Sequence, residues 1–409
     1  MLSRRSFCAL AAGAGLAGAG VAASGRRARA ASQGIKIGVI TDMTGPLSSV
    51  LGMGSVEGTR MAVEDFGGSA AGMPVEVIFA DHQSKADIAL SIARKWIDED
   101  GVDMLMDIGN SAAAIAVEGL MKEKNRIGII TGAASSDITG KFCNGNTFHW
   151  GYDTYMESAA PAGALTRQGS DTWFFITIDY AFGHSLEADA TARILKDGGK
   201  VLGSVRHPAN TTDFSSYLLQ AQASGAKAIG VANAGSDMEH CLKQGAEFGI
   251  WQKQKAAVFG MQMYNVPAIG QQIMQGIVHN SVFLWDRTPE TVAFSGRFRP
   301  RNGGKPPAET HAVNYSGTLQ YLKAVKAVGS KDTEAVTKAL HEMPVEDFVS
   351  VKGTVRKDGR LMRPTFLLRV KKPDQVKAVW DCLEVIETIP GEQAFRPAAE
   401  SACPLLKPA

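Results

Sequence analysis

Ile35-Lys36-Ile37-Gly38-Val39-Ile40 runs into a loop over 41–54 and then into a helix that Ser55 is placed to cap, with Val56, Met61, Ala62 and Phe66 at helical spacing. A short apolar run that enters an amphipathic helix through small and hydroxylated residues is one βα unit, and repetition of that unit builds a parallel sheet. The chain repeats it. Strands are predicted over 75–80, 102–108 and 127–131, with helices over 87–98 and 111–124 between them. A second series starts after Asp153, with strands over 173–177, 201–205, 228–232 and 257–261, each followed by a helix or a capped turn. Beyond Trp285 come helices over 309–328 and 333–342, then a hairpin whose arms, 351–356 and 365–370, flank the turn Lys357-Asp358-Gly359. The reading is an α/β fold with two tandem sheets and a C-terminal segment too short for a third domain, which completes the first two.

With 409 residues, 45% hydrophobic and 21% charged, the chain buries a sizeable core. The formal charge is +2, but Arg4, Arg5, Arg26, Arg27 and Arg29 fall in the first 30 residues, which hold no acid. Taking those five from the 43 basic residues leaves 38 against 41 acidic ones, so a polyanion-binding surface has no support and nucleic acid is set aside as a partner. Ser3-Arg4-Arg5-Ser6-Phe7, an uncharged Ala/Gly-rich stretch to Ser24, and Ala28-Arg29-Ala30 have the layout of a secretory signal, with cleavage expected after Ala30. The paired arginines look like a twin-arginine signal, which is an address and not an anchor. The stretch is too poor in large apolar side chains to span a membrane, and no later window of 18 apolar residues appears, so the mature protein is expected to be soluble. Gly13-Ala14-Gly15-Leu16-Ala17-Gly18 spells a dinucleotide fingerprint, but it follows no strand and leaves with the signal, so no cofactor is expected.

Export leaves Cys143, Cys241, Cys382 and Cys403 in an oxidising compartment. Their spacings match no zinc site, and no metal is expected. Cys382 and Cys403 are the expected disulfide, closing a loop worth about 3 kcal/mol in the chain-entropy model. Cys241 reads as a buried small hydrophobe, while Cys143 is left open.

In open α/β sheets, ligands sit outside the carboxyl ends of the strands. The loops there read Thr44-Gly45-Pro46-Leu47-Ser48-Ser49, Gly109-Asn110-Ser111, Gly132-Ala133-Ala134-Ser135-Ser136-Asp137, Asp179-Tyr180-Ala181-Phe182-Gly183 and Asn233-Ala234-Gly235-Ser236-Asp237. All lead into helices, so free backbone N–H groups converge on one region suited to a small carboxylate. For any one loop, Ser111, Ser136 or Asp237 acting only as an N-cap is an equal reading.

These loops and the leader resemble the periplasmic substrate-binding proteins of ABC transporters, of the leucine/isoleucine/valine-binding (amino acid/amide) type. The resemblance runs from Ile35-Lys36-Ile37-Gly38-Val39 and Asp42-Met43-Thr44-Gly45-Pro46 to Ala394-Phe395-Arg396-Pro397 and Cys403-Pro404-Leu405. It is most specific over 132–140, 179–187 and 213–232. It implies the type I periplasmic-binding-protein fold: two doubly wound parallel-sheet lobes joined by a three-crossing hinge that closes on the ligand. The lobes are expected over 31–153 with 286–357 and over 154–285 with 358–409, in a monomer that presents its solute to a membrane permease. By position, Ser111 and Ser135 match residues whose hydroxyls hold the ligand carboxylate, and Ala133 matches one that contributes its backbone. Asp237 lies where amino-acid binders keep an acid for the ammonium group, or only caps its helix, and Phe182 or Tyr180 is the aromatic over the ligand. Ser48, Asn110, Tyr155, Asn233 and Gln262 complete the expected ligand set. The first loop lacks the family's frequent aromatic at Ser48-Ser49-Val50, and Tyr152, Tyr155, Gln262 and Tyr264 make the second lobe aromatic and polar. That inclines the reading toward aromatic or hydrophobic acids over branched-chain amino acids.

An enzyme would need a nucleophile, base or metal set, and no Gly-x-Ser-x-Gly elbow, Walker loop or His-Glu-x-x-His occurs. His82, His149, His184 and His311 read as surface or satisfied polar groups. A periplasmic ligand sensor working with a receptor would share the fold and the site and stands as the alternative.

Overall fold

The structure, a computed structural model, describes residues 34–407. The expected signal, residues 1–30, lies outside them. In chain order the first lobe comprises β1 (Ile35–Thr41), α1 (Gly52–Asp65), β2 (Ser69–Ala70), β3 (Met73–Asp81), α2 (Ala86–Lys95), β4 (Met104–Asp107), α3 (Ser111–Glu123), β5 (Ile127–Ile130) and β6 (Thr147–His149). The strands form one sheet in the order β2-β3-β1-β4-β5-β6, parallel except for the β2–β3 pair. Alternation explains its burial on both faces. Ile35, Ile37 and Val39 point into one apolar cluster and Ile40 into another, so helices cover each side.

The chain then crosses at 150–153 into α4 (Thr154–Arg167), β7 (Thr172–Ile178), α5 (Ala181–Lys196), β8 (Lys200–His207), α6 (Ser215–Ala223), β9 (Ala228–Ala232), α7 (Gly235–Glu247), β10 (Lys255–Phe259), the short α8 (Asn265–Ile269) and α9 (Gln271–Met274), and β11 (Val278–Ser281). The second sheet is wholly parallel, in the order β10-β9-β7-β8. A second crossing returns the chain to the first lobe as α10 (Pro289–Phe298), α11 (Glu309–Val328), α12 (Thr333–Glu342) and the small hairpin β12 (Thr354–Val355) and β13 (Leu361–Met362). There α11 lies along α1. After a third crossing, β14 (Thr365–Val370) pairs with β11 and β15 (Leu383–Ile389) in an antiparallel sheet, and α13 (Gly391–Ala394) leads into the tail.

Three sequence expectations are corrected. Ser55 does not cap α1, which starts at Gly52, and its buried hydroxyl sits inside the helix. The arms over 351–356 and 365–370 do not pair with each other: β12 turns back onto β13, while β14 is taken by β11 and β15. The disulfide joins Cys143 to Cys403, not Cys382 to Cys403. Cys382 is fully buried as a free thiol, and the extended strand β15 carries the chain about 20 Å away from it before Cys403. The tail instead comes back onto the loop after the short helical turn Ser136–Thr139, where Ser401 Oγ donates to Thr139 O. Cys241 is buried, as expected, and is a free thiol.

The crossings are tied to one another by buried side chains. Arg360 donates to Gly151 O and Arg363 to Trp150 O (3.0 Å), while Glu309 accepts from the Val282 N–H at 2.6 Å.

Candidate functional site

In the first sheet β1 lies between β3 and β4, and in the second β7 lies between β8 and β9. Strand order reverses at these points, which leaves a crevice at the carboxyl ends of the strands. The loops after β1, β4 and β5 therefore face the loops after β7 and β9.

Acidic side chains at the ends of β1 and β4 hold two of these loops. Asp42 folds the first loop by accepting from Gly45 N (2.8 Å), Leu47 N (3.0 Å) and Ser84 Oγ (2.7 Å). Asp107, buried at the end of β4, accepts from Thr131 Oγ1 (3.0 Å) and Asn314 Nδ2 (3.3 Å), and burial pushes its carboxyl above the usual range. Here the backbone is strained: Asp107 has φ 75° and the β-branched Ile108 φ 53°. That bend delivers Gly109-Asn110-Ser111 to the crevice.

Asn110 is the cap of α3, its Oδ1 accepting from Ala112 N (2.9 Å) and Ala113 N (3.2 Å). Ser111 Oγ accepts from Ala134 N (3.3 Å) and Ser135 N (3.1 Å), which folds the β5 loop onto α3. With its lone pairs so occupied, this hydroxyl has its proton left to donate. A chamber of about 20 Å³ is lined by Ser111, Gly132, Ala134 and Leu47 from the first lobe, by Tyr152 of the crossing, and by Tyr180, Phe182 and Ala234 from the second lobe. A neighbouring space of about 120 Å³ lies between Asn110, Ser84 and Tyr180. Tyr180 and Phe182 stack at a centroid distance of 6.0 Å at the start of α5, where free N–H groups of the first turn also point. Burial, and the carboxylates of Asp237 and Asp42, keep the Tyr180 phenol protonated.

The lobes meet around this chamber. Ser135 Oγ lies 2.6 Å from Ser185 Oγ, and Ser136 Oγ donates to Asp189 at 2.8 Å. Gly235 sits so close to the first loop that a Cβ there would be 2.3 Å from Pro46 O.

The expected ligand set is thus split. Asn110, Ser111, Tyr180 and Phe182 come together at the inner chambers, and Ser48 lines a separate cavity on the far side of its loop. Ala133 and Ser135 stand behind the chamber wall: Ala133 O meets His149 Nε2 at 2.8 Å, and Ser135 is spent on Ser185 and on the Asp137 N–H. Tyr155 faces the tail, under the guanidinium of Arg396 at 4.8 Å. Asn233 is bonded to His207 and Gln262 to Glu309. Asp237 does not cap its own helix; its Oδ2 accepts from Asn210 N at 2.9 Å, and burial raises its carboxyl. Of the histidines, His149 and His311 are buried against backbone carbonyls, His184 pairs with Asp179, and His82 is buried with neither nitrogen bonded. Sequence reading placed Leu47, Gly132 and Ala134 in the ligand loops without singling them out, because small and aliphatic residues carry no chemical signal of a site. It missed Asp42 and Asp107, whose only signal was an acid closing an apolar strand.

Two lobes of this topology, with a site built from opposed loops, define a hinged binding protein. Residues 34–375 match the family model described as periplasmic binding protein, and the chain belongs to that family. It is similar to a periplasmic binding protein from Burkholderia mallei, with 42% identity and a TM-score of 0.90 over 92% of this chain and 100% of that one. It is also similar to a branched chain amino acid ABC transporter periplasmic ligand-binding protein from Burkholderia xenovorans LB400, with 41% identity and a TM-score of 0.80, covering 91% and 100% of the two chains. Among curated relatives, the Leu/Ile/Val-binding protein homolog 6 of Brucella abortus is 24% identical over 83% of this chain and 88% of its own length. No helix of the described residues is long and apolar enough to cross a membrane.

Proposed function

We propose that the protein captures a small carboxylate-bearing solute between its lobes in the periplasm, after export by the twin-arginine route, and delivers it as a monomer to an ABC permease. The observation that carries this reading is Ser111. Its hydroxyl, already accepting two backbone N–H groups, faces a chamber roofed from the other lobe by Tyr180 and Phe182. The N-terminus of α3 adds a positive end on the same side.

Aromatic or hydrophobic acids fit the ring wall, and the Asn210 bond on Asp237 supports that class over branched-chain amino acids. An ammonium group in a closed cleft needs a carboxylate of its own, and this one is directed to a backbone N–H. A thermal-shift screen of the exported protein against amino acids, benzoates, cinnamates and short amides tests the proposal. The melting temperature should rise with the logarithm of ligand concentration for a carboxylate. A screen in which no carboxylate shifts it overturns the reading.

A further inference from the structure

The first loop divides the cleft in two. Leu47 faces the inner chambers, of about 20 and 120 Å³, Ser48 and Ser49 look out on a cavity of about 500 Å³, and Pro46 borders the larger inner chamber and the outer cavity. Of these three spaces beside the first loop, the outer cavity alone reaches the roughly 300–1,000 Å³ usual for small-molecule sites. Its other wall is Ser236, Glu239, Tyr264, Lys305 and Trp380.

We infer that this outer cavity is a preformed encounter site for an aromatic monocarboxylate, with Lys305 as counter-ion and Tyr264 and Trp380 as the ring wall. The inference rests on the solute-capture reading above and adds where the solute is first held. The two rings lie 5.1 Å apart between centroids at 50°, leaving a corner into which a third ring packs edge or face. The Tyr264 ring and the Trp380 backbone are held before any ligand arrives. The Tyr264 hydroxyl donates to Pro306 O (2.5 Å) and accepts from Asn302 Nδ2 (2.9 Å), and Trp380 O accepts from Trp285 Nε1 at 3.1 Å. Lys305 enters no ion pair among the described residues, and its Nζ stands 5.6 Å from the Tyr264 centroid. An ammonium held over one ring of such a pair attracts an anion with a flat apolar body. Glu239, fixed by Asn265 Nδ2 at 2.9 Å, lines the same cavity and repels a second negative charge, so the class is the monoanion. Because Ser48 belongs to the first lobe and Tyr264 and Trp380 to the second, a solute here touches both lobes before the inner chamber must open.

Stopped-flow tryptophan fluorescence on the full exported protein, with 4-hydroxybenzoate as probe and terephthalate as the dianionic control, separates the two sites. The wild type should show a fast, salt-sensitive phase that Trp380→Phe removes. Lys305→Gln, an exposed change that leaves the melting temperature unmoved, should lower the association rate three- to tenfold at low salt and flatten its salt dependence. Ser111→Ala should instead raise the dissociation rate. Glu239→Gln should narrow the preference for the monoanion over terephthalate. An association rate and salt slope in Lys305→Gln equal to wild type overturn the inference. So does a wild type that ignores 4-hydroxybenzoate while another carboxylate shifts its melting temperature, an outcome that leaves solute capture standing.

Discussion

A buried group without a partner reports its surroundings through its proton, and Glu118 is the clearest case. It is 2% exposed, neither carboxyl oxygen has a hydrogen-bond partner, and burial alone lifts its pKa to about 9. The folded protein therefore keeps a proton that the unfolded chain releases near pH 4.5, so stability is fully present below that pH and falls as pH rises toward 9. Glu118→Gln should remove this loss. Its melting temperature should match wild type near pH 5 and exceed it increasingly as pH rises toward 9, where the stability difference reaches several kcal/mol; parallel curves for the two proteins would contradict the account. Asp237 tests the ligand class at the same scale. Its oxygen is accepting from a backbone N–H, a role an amide oxygen also fills, so Asp237→Asn should leave the affinity for an aromatic acid within about twofold. Calorimetry showing tight leucine binding that collapses in this variant would place an ammonium on Asp237 instead.

Among elements, the first loop and the start of α7 decide whether the lobes can close. Leu47, Val50 and Leu51 leave their own sheet to pack into an apolar cluster built mainly from the second lobe, and Pro46 O approaches the backbone at Gly235. Gly235 is needed there twice over: its φ is 57°, and an added Cβ would meet that oxygen at 2.3 Å. Gly235→Ala should therefore hold the cleft ajar, lowering solute affinity at least tenfold and raising the radius of gyration in solution scattering with ligand. A variant with wild-type affinity would show that this contact is dispensable. Two carboxylates hold the loop: Asp42 through two backbone N–H groups, and Asp81 through the Met43 N–H and the Thr44 hydroxyl.

For the whole molecule, the tail is a strap over both lobes. Arg396 reaches Asp189 of α5 and Ser136 of the first lobe, Lys196 pairs with Glu400, and Cys403 is bonded to Cys143, 260 positions earlier. A cross-link that closes so long a loop restricts the unfolded chain strongly, so Cys403→Ser or reduction should lower stability by about 2–5 kcal/mol, measured by denaturant unfolding with and without reductant. Peptide mapping of exported protein should find the Cys143–Cys403 cross-link and free thiols at Cys241 and Cys382. A Cys382–Cys403 peptide would refute the tail's placement.

The βα rhythm was legible from residues alone because parallel strands buried on both faces are uninterrupted apolar runs, and the helices between them show their period. The strand over 228–232 and the helices over 309–328 and 333–342 agree with β9, α11 and α12 to the residue. The convergence of the hydroxyl-rich loops was legible too, since strand ends in such sheets always point one way. What only the tertiary structure decided were the partners. Ser111 and Ser135 look alike in sequence, yet one faces the chamber and the other is bonded across the lobes to Ser185. Cys403 lies nearer in sequence to Cys382 than to Cys143, yet the extended β15 carries it away from the first and the tail folds it back onto the second. Period and composition depend on a residue's neighbours along the chain, whereas a hydrogen bond or a disulfide depends on which distant segments the crossings bring within a few ångströms.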